Sequence, residues 1–323
     1  MSKSPSSLRG TTGVPASPPT IEGETTAPGT PRRGSRAGRW RHFWEDVRRT
    51  PSASIGLVIV AGFLLLSLIG PYIAPHSPTD FDITNKFGRP TLAHPFGTDP
   101  FGRDVFSRVI YGARLSFLLA AAATLFSLLI GTPLGLVAGY YQGWLDEVLM
   151  RVTDALLALP SIILALLIVT TLGSSAFNVI LVVGIVYAPR IARVIRSGTL
   201  ALRNEDFVQA ARARGESGAY ILFSEVLPNT IAPLIVEASI RMGFAILLAT
   251  SLSFLGLGVS PPAPDWGLMI NEARPHIFRA PWLTIFPSIV IALTIVGFNL
   301  LGDGLRDILD PRRTWTERRS EGV

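Results

Sequence analysis

Six stretches of this chain, residues 54–73, 115–136, 155–172, 176–192, 231–258 and 282–301, are apolar on every face. Each lies near the roughly 20 residues that cross about 30 Å of hydrocarbon as a helix. The typical helix of a soluble protein would instead carry an apolar stripe with a polar back. Hydrocarbon leaves no solvent partner for backbone N–H and C=O groups, so spans that satisfy them internally are required. The expectation is an all-α polytopic membrane protein with six transmembrane helices. Only 16% of the residues are charged, against about 25% in soluble domains. The third and fourth stretches are the shortest, carry Pro160 and Pro189, and are separated by residues 173–175 alone.

Several kinds of chemistry drop out at once. There is no cysteine, which removes disulfides, thiolate zinc sites and iron–sulfur clusters. The four histidines, His42, His76, His94 and His276, lack metal-ligand spacing and are expected to be loop or interface residues, so no metal is expected. Lys3 and Lys86 are the only lysines and neither ends a Gly-rich loop, so the chain carries no phosphate-binding P-loop of its own. No nucleophile–base constellation falls within the spans. Neither an enzyme nor a cofactor is expected. A stand-alone secondary transporter or channel would show internal repeats and mid-membrane ion sites; no repeat is visible.

Arginine placement orients the spans. With the N-terminus in the cytoplasm, 21 of the 29 basic residues fall inside and seven outside, with Arg241 within a span. This bias predicts both termini on the cytoplasmic side. Residues 1–50 are expected to form a disordered basic tail, its first 38 positions rich in Ser, Thr, Pro and Gly. The first apolar run begins too late for a secretory signal peptide. The arginines at 32–49 adjoin a span, so no nucleic-acid partner is expected. The remaining divisions are a first span with its outer loop (51–113), a core of five spans (114–303) and a cytoplasmic C-terminal tail (304–323).

Two outer segments are substantial. The first contains GTDPFGRDVFSRVIYGAR, in which Gly97, Thr98, Asp99, Gly102, Arg103, Asp104 and Arg108 alternate charge with turn residues. The second contains SPPAPDWGLMINEARPHIF; Trp266, Phe278 and Trp282 suit a membrane–water interface. Either segment serves as a capped loop or as a docking surface. Within the spans, Gly131, Gly135 and Gly139 form a four-residue ladder that suits close helix packing. Glu237 and Arg241 stand four apart on one helix, glutamate first, the favourable order for a pair. A packing or gating role is expected of that pair ahead of substrate contact.

Between the fourth and fifth spans lies a polar island that includes QAARARGESGAYILFSEVLPNT at 209–230. Asn204 can cap a helix, and Glu205 and Asp206 put negative charge in its first turn. Phe207, Ala210 and Ala211 then share one face, with Gln209 and Arg212 around the rest. Gly215 suits the left-handed end of a helix. Ser217 can cap a second helix with a Tyr220, Phe223 and Leu227 stripe, which Pro228 is expected to close. The island at 204–230 thus reads as a helix–turn–helix elbow. Paired alanines offer little to lipid headgroups but let another protein approach closely.

Gln209-Ala210-Ala211, three residues, Gly215, nine residues and Glu225-Val226-Leu227-Pro228 resemble the cytoplasmic signature of binding-protein-dependent ABC importer permeases. That signature reads Glu-Ala-Ala, three residues, Gly, nine residues, Ile-x-Leu-Pro; Gln209 and Glu225 depart from it. GTDPFGRDVFSRVIYGAR at 97–114, SLSFLGLGVSPPAPDWGLMI at 251–270 and LGDGLRDILDPR at 301–312 resemble the dipeptide/oligopeptide/nickel branch, in its C-type permease subunit. Many relatives carry glutamate where Ala249 stands, and Glu237 is correspondingly unusual. The resemblance implies a type I importer transmembrane-domain fold in a bacterial inner membrane. It implies as partners a homologous B-type permease, two ABC ATPase subunits, an external solute-binding protein and the lipid bilayer. The elbow would be the helix that couples to the ATPase. Short peptides are the favoured substrate class, with nickel, glutathione or another small solute as alternatives.

Overall fold

A computed structural model describes residues 44–309; of the disordered tail expected at 1–50, residues 1–43 lie outside the described residues, as does the end of the chain, while 44–49 are helical and not disordered. The elements are α1 (Pro51–Ile73), α2 (Val105–Tyr141), α3 (Gly143–Leu157), α4 (Ser161–Leu172), α5 (Ala176–Leu202), α6 (Asp206–Ala213), α7 (Gly218–Phe254), α8 (Trp266–Ala273) and α9 (Trp282–Leu309). Among the described residues there is no β-strand, only an isolated bridge between Thr98 and Asp104. Among the described residues five helices are long and apolar enough to cross a membrane, and the pair α3–α4 makes a sixth if it is one bent span.

The third span departs from expectation. The hydropathic run at 155–172 is not one helix: α3 ends at Leu157 and α4 starts at Ser161, with a 93° bend between them. Proline at 160 lacks an N–H and pushes the residue before it out of helical geometry, so the break falls there. α3 also begins twelve residues before the apolar run. Its early turns carry Asp146 and Glu147, which hydropathy discounts. Asp146 accepts from Arg196 Nε and Nη2, both at 2.6 Å, and Asp154 accepts from Arg193 Nη2 at 2.5 Å. Those pairs fasten α3 to α5.

Helices α2 and α5 form the central seam, built by the glycine ladder. A Cβ on Gly131 would lie 2.6 Å from the Ala188 carbonyl oxygen. One on Gly135 would strike the Ala192 carbonyl, and one on Gly139 would lie 2.8 Å from that of Arg196. Residues four apart on one helix meet residues four apart on the other in the same order, so α2 and α5 run parallel. Parallel neighbours need a return path, and only α3–α4 lies between them in sequence. At 1.5 Å per residue α4 spans about 18 Å, so the return is shared across the bend. A second small-residue seam joins α1 to α9, where Gly56 abuts the Leu301 backbone and Gly304 abuts Ala53.

Other boundaries shift for local reasons. α2 starts ten residues before its apolar run because Asp104 caps it, accepting from Ser107 N at 2.8 Å. Arg108 is therefore helical and not in a loop. α7 ends at Phe254, before the expected 258, because Gly256 takes φ +80°. Gly256 N donates to Ser253 O at 3.0 Å and Leu257 N to Leu252 O at 2.9 Å, the bond pair of a Schellman stop. The last helix runs on to Leu309, past the expected 301. Trp266 is not at an interface: it is fully buried and donates from Nε1 to Val109 O at 2.9 Å. It anchors α8 in the main core, edge-on to Phe63 and Phe117. Phe278 is fully exposed and Trp282 half-buried.

Candidate functional site

The 37 residues of α2 extend about 55 Å and separate two organised ends of the molecule. At the Tyr141 end stands the elbow. α6 begins after Glu205, one residue beyond the expected Asn204, and that cap makes no side-chain bond. The stop at Gly215 is as expected: φ is +77°, Gly215 N donates to Arg212 O at 2.9 Å, and Glu216 N donates to Ala211 O at 3.2 Å. Ser217 caps the next helix by accepting from Tyr220 N at 3.2 Å.

Two expectations about the elbow are corrected. Pro228 closes nothing. The chain passes through a π-helical segment, Ile221–Val226, and continues as one helix into the membrane span. The wider π-turn relieves the proline ring of the carbonyl four residues back, which an α-turn would set against it. The same change of register turns Tyr220 and Phe223 outward and buries Ile221, Leu222 and Val226 instead. The alanine pair is also divided. Ala211 is fully buried with Val208, packed with Leu136, Ile191 and Ile195 at the ends of α2 and α5. Ala210 faces solvent together with Asp206, Gln209 and Ala213, while Phe207 is half-buried. The accessible small-residue surface is therefore the Asp206–Gln209–Ala210–Ala213 stripe.

Side chains brace the elbow from both sides. Arg212 donates from Nε to Tyr140 Oη at 3.2 Å and lies 4.8 Å over that ring. Glu225, one of the two departures from the family signature, reaches back across the Gly215 turn to Arg214 at 3.5 Å. Arg214 is 53% exposed, and solvent-screened pairs of this kind contribute at most about 1 kcal/mol. Glu225→Ala is accordingly expected to shift thermal stability by no more than about 1 kcal/mol, as read from the melting temperature of the purified protein.

At the other end, the outer-loop motif forms a buried ionic knot. Gly97 and Gly102 turn the chain at φ +73° and +78°. Thr98 Oγ1 donates to Asn85 O and accepts from Gly88 N at 2.7 Å. Asp99 Oδ1 accepts from the backbone N–H of Phe101 and Arg103 at 2.8 and 2.9 Å. Its Oδ2 takes Arg103 Nε at 2.5 Å and Arg108 Nη1 at 2.7 Å. Glu272, on α8, completes the set by accepting from Arg103 at 2.8 Å and Arg108 at 3.0 Å. Asp99, Arg103, Asp104 and Arg108 are each at most 3% exposed. Two carboxylates thus balance two guanidinium groups and tie the motif to the second outer segment. Glu272 carries no local signal in that segment's sequence, because its partners lie 164 and 169 residues away. Nearby, Asp265 caps α8, and burial pushes its carboxyl above the usual range.

Between the ends, Glu237 and Arg241 pair at 2.6 Å. The guanidinium also sits 5.7 Å from the Tyr187 ring centre and 5.2 Å from that of Phe244. Such contacts stabilise a cation by about 0.5–2 kcal/mol, more when desolvated. Glu237 borders a cavity of about 550 Å³ that Val194, Pro233 and Arg306 also line. Ala249 lies twelve residues further along α7, about 18 Å away, so the two positions occupy different levels of the span. Linear spacing gives the histidines no cluster, yet the fold gathers His76, His94 and Asp104 so that their ligand atoms lie within 4.8 Å of one another.

Two family models match. Residues 131–315 match the binding-protein-dependent transport system inner membrane component, and residues 38–95 the N-terminal transmembrane domain of oligopeptide transport permease C. The chain belongs to that permease family. A dipeptide transport system permease protein, DppC of Alkalihalophilus pseudofirmus, is 41% identical over 91% of this chain and 97% of its own. Glutathione transport system permease proteins, GsiD, are 42% identical in Pectobacterium atrosepticum and 44% in Escherichia coli O157:H7. Both cover 84% of this chain and about 90% of theirs. The fold is shared with a chain of the inward-facing MetNI methionine ABC transporter. Its TM-score is 0.52 at 17% identity, over 62% of the permease and 96% of that chain. The permease is thus a multi-pass inner-membrane subunit of an ABC importer, in a non-enzymatic family. Membership implies ATPase and solute-binding-protein partners.

Proposed function

We propose that this permease passes di- or oligopeptides through a passage shared with a homologous B-type permease, with both termini in the cytoplasm. In this reading the Asp206–Gln209–Ala210–Ala213 stripe docks on an ATPase subunit, and the buried knot around Asp99 carries the face that meets the binding protein. The carrying observation is mechanical. The elbow's buried face packs on α2 and α5, and its second helix is continuous with the span α7. A push on the exposed stripe therefore reaches three helices without passing through a flexible joint. ATP-driven closure of the ATPase pair would move those helices as rigid bodies and open the passage outward, and hydrolysis would reset it. The arginine bias supports the orientation, and the dipeptide relative supports the substrate class. Glutathione, itself a tripeptide, is a second reading supported by the GsiD relatives.

Ala210→Arg tests the docking. It places a long cation on the exposed stripe without disturbing the buried face, unlike substitution at Ala211. Uptake of labelled dipeptides and co-purification of the ATPase are expected to fall at least about tenfold, equivalent to about 1.4 kcal/mol of lost docking. Membrane insertion should stay normal. Normal uptake by this variant sinks the docking role. Competition by unlabelled glutathione against the dipeptides separates the two substrate readings.

A further inference from the structure

We propose that His76, His94 and Asp104 form a binding site for a divalent transition-metal ion of the Zn²⁺ type. The three residues come from separate parts of the chain. His76 follows the end of α1, His94 lies in the loop, and Asp104 is the N-cap of α2. Both imidazoles turn Nδ1 toward the same carboxylate: His94 Nδ1 lies 3.0 Å from Asp104 Oδ1 and His76 Nδ1 3.8 Å from Oδ2. Tetrahedral ligands at metal bonds of 2.0–2.1 Å stand about 3.4 Å apart; these two separations lie near that value, and one ligand atom from each of the three residues falls within 4.8 Å of the others. The rings stack with centroids 4.8 Å apart at 28°. A metal at that point would take the place of the hydrogen bond between His94 Nδ1 and Asp104 Oδ1.

Supporting bonds already hold the ligands in place. Ser107 donates its backbone N–H to Asp104 Oδ2 at 2.8 Å, and its Oγ accepts from the His76 backbone N–H at 3.2 Å. Partners of this kind orient ligands and raise affinity in metal sites. Asp104 is buried while His76 is 41% exposed, so one side stays open for entry and for water as a fourth ligand. Two imidazoles and one carboxylate suit Zn²⁺, Co²⁺, Ni²⁺ or Cu²⁺ better than Mg²⁺ or Ca²⁺, which take all-oxygen sets. The positive end of α2 opposes a cation, so the ion should exchange with the medium and not be locked in. When bound, it would clamp the segment after α1 to the start of α2.

The chain is a favourable test object because it has no cysteine and only four histidines, which keeps background binding low. Full-length permease in lipid nanodiscs, stripped with chelator, is titrated with Co²⁺ and followed by its visible absorption, then with Zn²⁺ in competition with a chromophoric chelator. One equivalent per chain is expected, with Co²⁺ bands that Zn²⁺ displaces. His76→Ala and His94→Ala should each weaken binding at least tenfold, whereas His276→Ala, whose ring packs on Phe87, should not. Should His94→Ala fail to fold through loss of its bond to Asp104, the exposed His76→Ala decides alone. Undiminished binding in His76→Ala, or no saturable binding to the unaltered chain, overturns the site.

Discussion

Asp99→Ala is expected to destabilise the permease by about 3–5 kcal/mol, because it leaves two buried guanidinium groups facing the single carboxylate of Glu272. Breaking a buried pair from one side costs more than the pair contributes, since the orphaned charge stays desolvated. Arg108 is the sharper victim: its side chain is 2% exposed, and its Nε and Nη2 have no partner among the described residues. Asp99 also holds the turn through the N–H groups of Phe101 and Arg103. Asp99→Asn keeps an oxygen for those amides while removing the charge, so it should lose less than the alanine variant. The measurement is thermal unfolding of the purified protein, paired with protease sensitivity of residues 74–104. An alanine variant that melts with the wild type would show that the knot is dispensable.

Gly135→Ile is expected to have an effect at least as large, through shape and not charge. Its Cβ would overlap the Ala192 carbonyl, with Ile195 Cβ only 2.8 Å away. A backbone carbonyl within a helix cannot rotate aside as a side chain does, so α2 and α5 must separate. Overpacking costs about 1–3 kcal/mol where side chains can adjust; a clash with backbone exceeds that range. Separation would also break the platform on which Val208 and Ala211 of the elbow rest. Little folded permease is therefore expected in the membrane, by immunoblot and by size-exclusion profile. Gly62→Ala is the matched control: nothing lies within 4 Å of a Cβ there, and helix propensity favours alanine by about 1 kcal/mol. A Gly135→Ile protein that accumulates and transports normally would refute the seam.

The elbow shows how far local reasoning reaches. Gly215 and Ser217 act as caps because capping is decided within a few residues, and both were legible. Which alanine faces the bundle was not. Ala210 and Ala211 are chemically identical, and only the position of Leu136, Ile191 and Ile195 distinguishes them. Pro228 misled for a related reason. Its usual helix-stopping effect assumes an α-turn before it, whereas packing of Ile221, Leu222 and Val226 sustains a π-turn in which the proline is tolerated.

By itself the sequence determined the solvent this protein lives in, the lack of a P-loop, and the presence of an elbow. Hydropathy, capping and motif spacing are properties of short windows and need no knowledge of neighbours. The tertiary structure alone decided that α2 and α5 run parallel and that the third span breaks by 93°. It alone joined Arg103 and Arg108 to Glu272 and brought His76 and His94 to Asp104. Those facts depend on which helices become neighbours, and helix packing in a membrane is set by close approach of small residues across the whole chain.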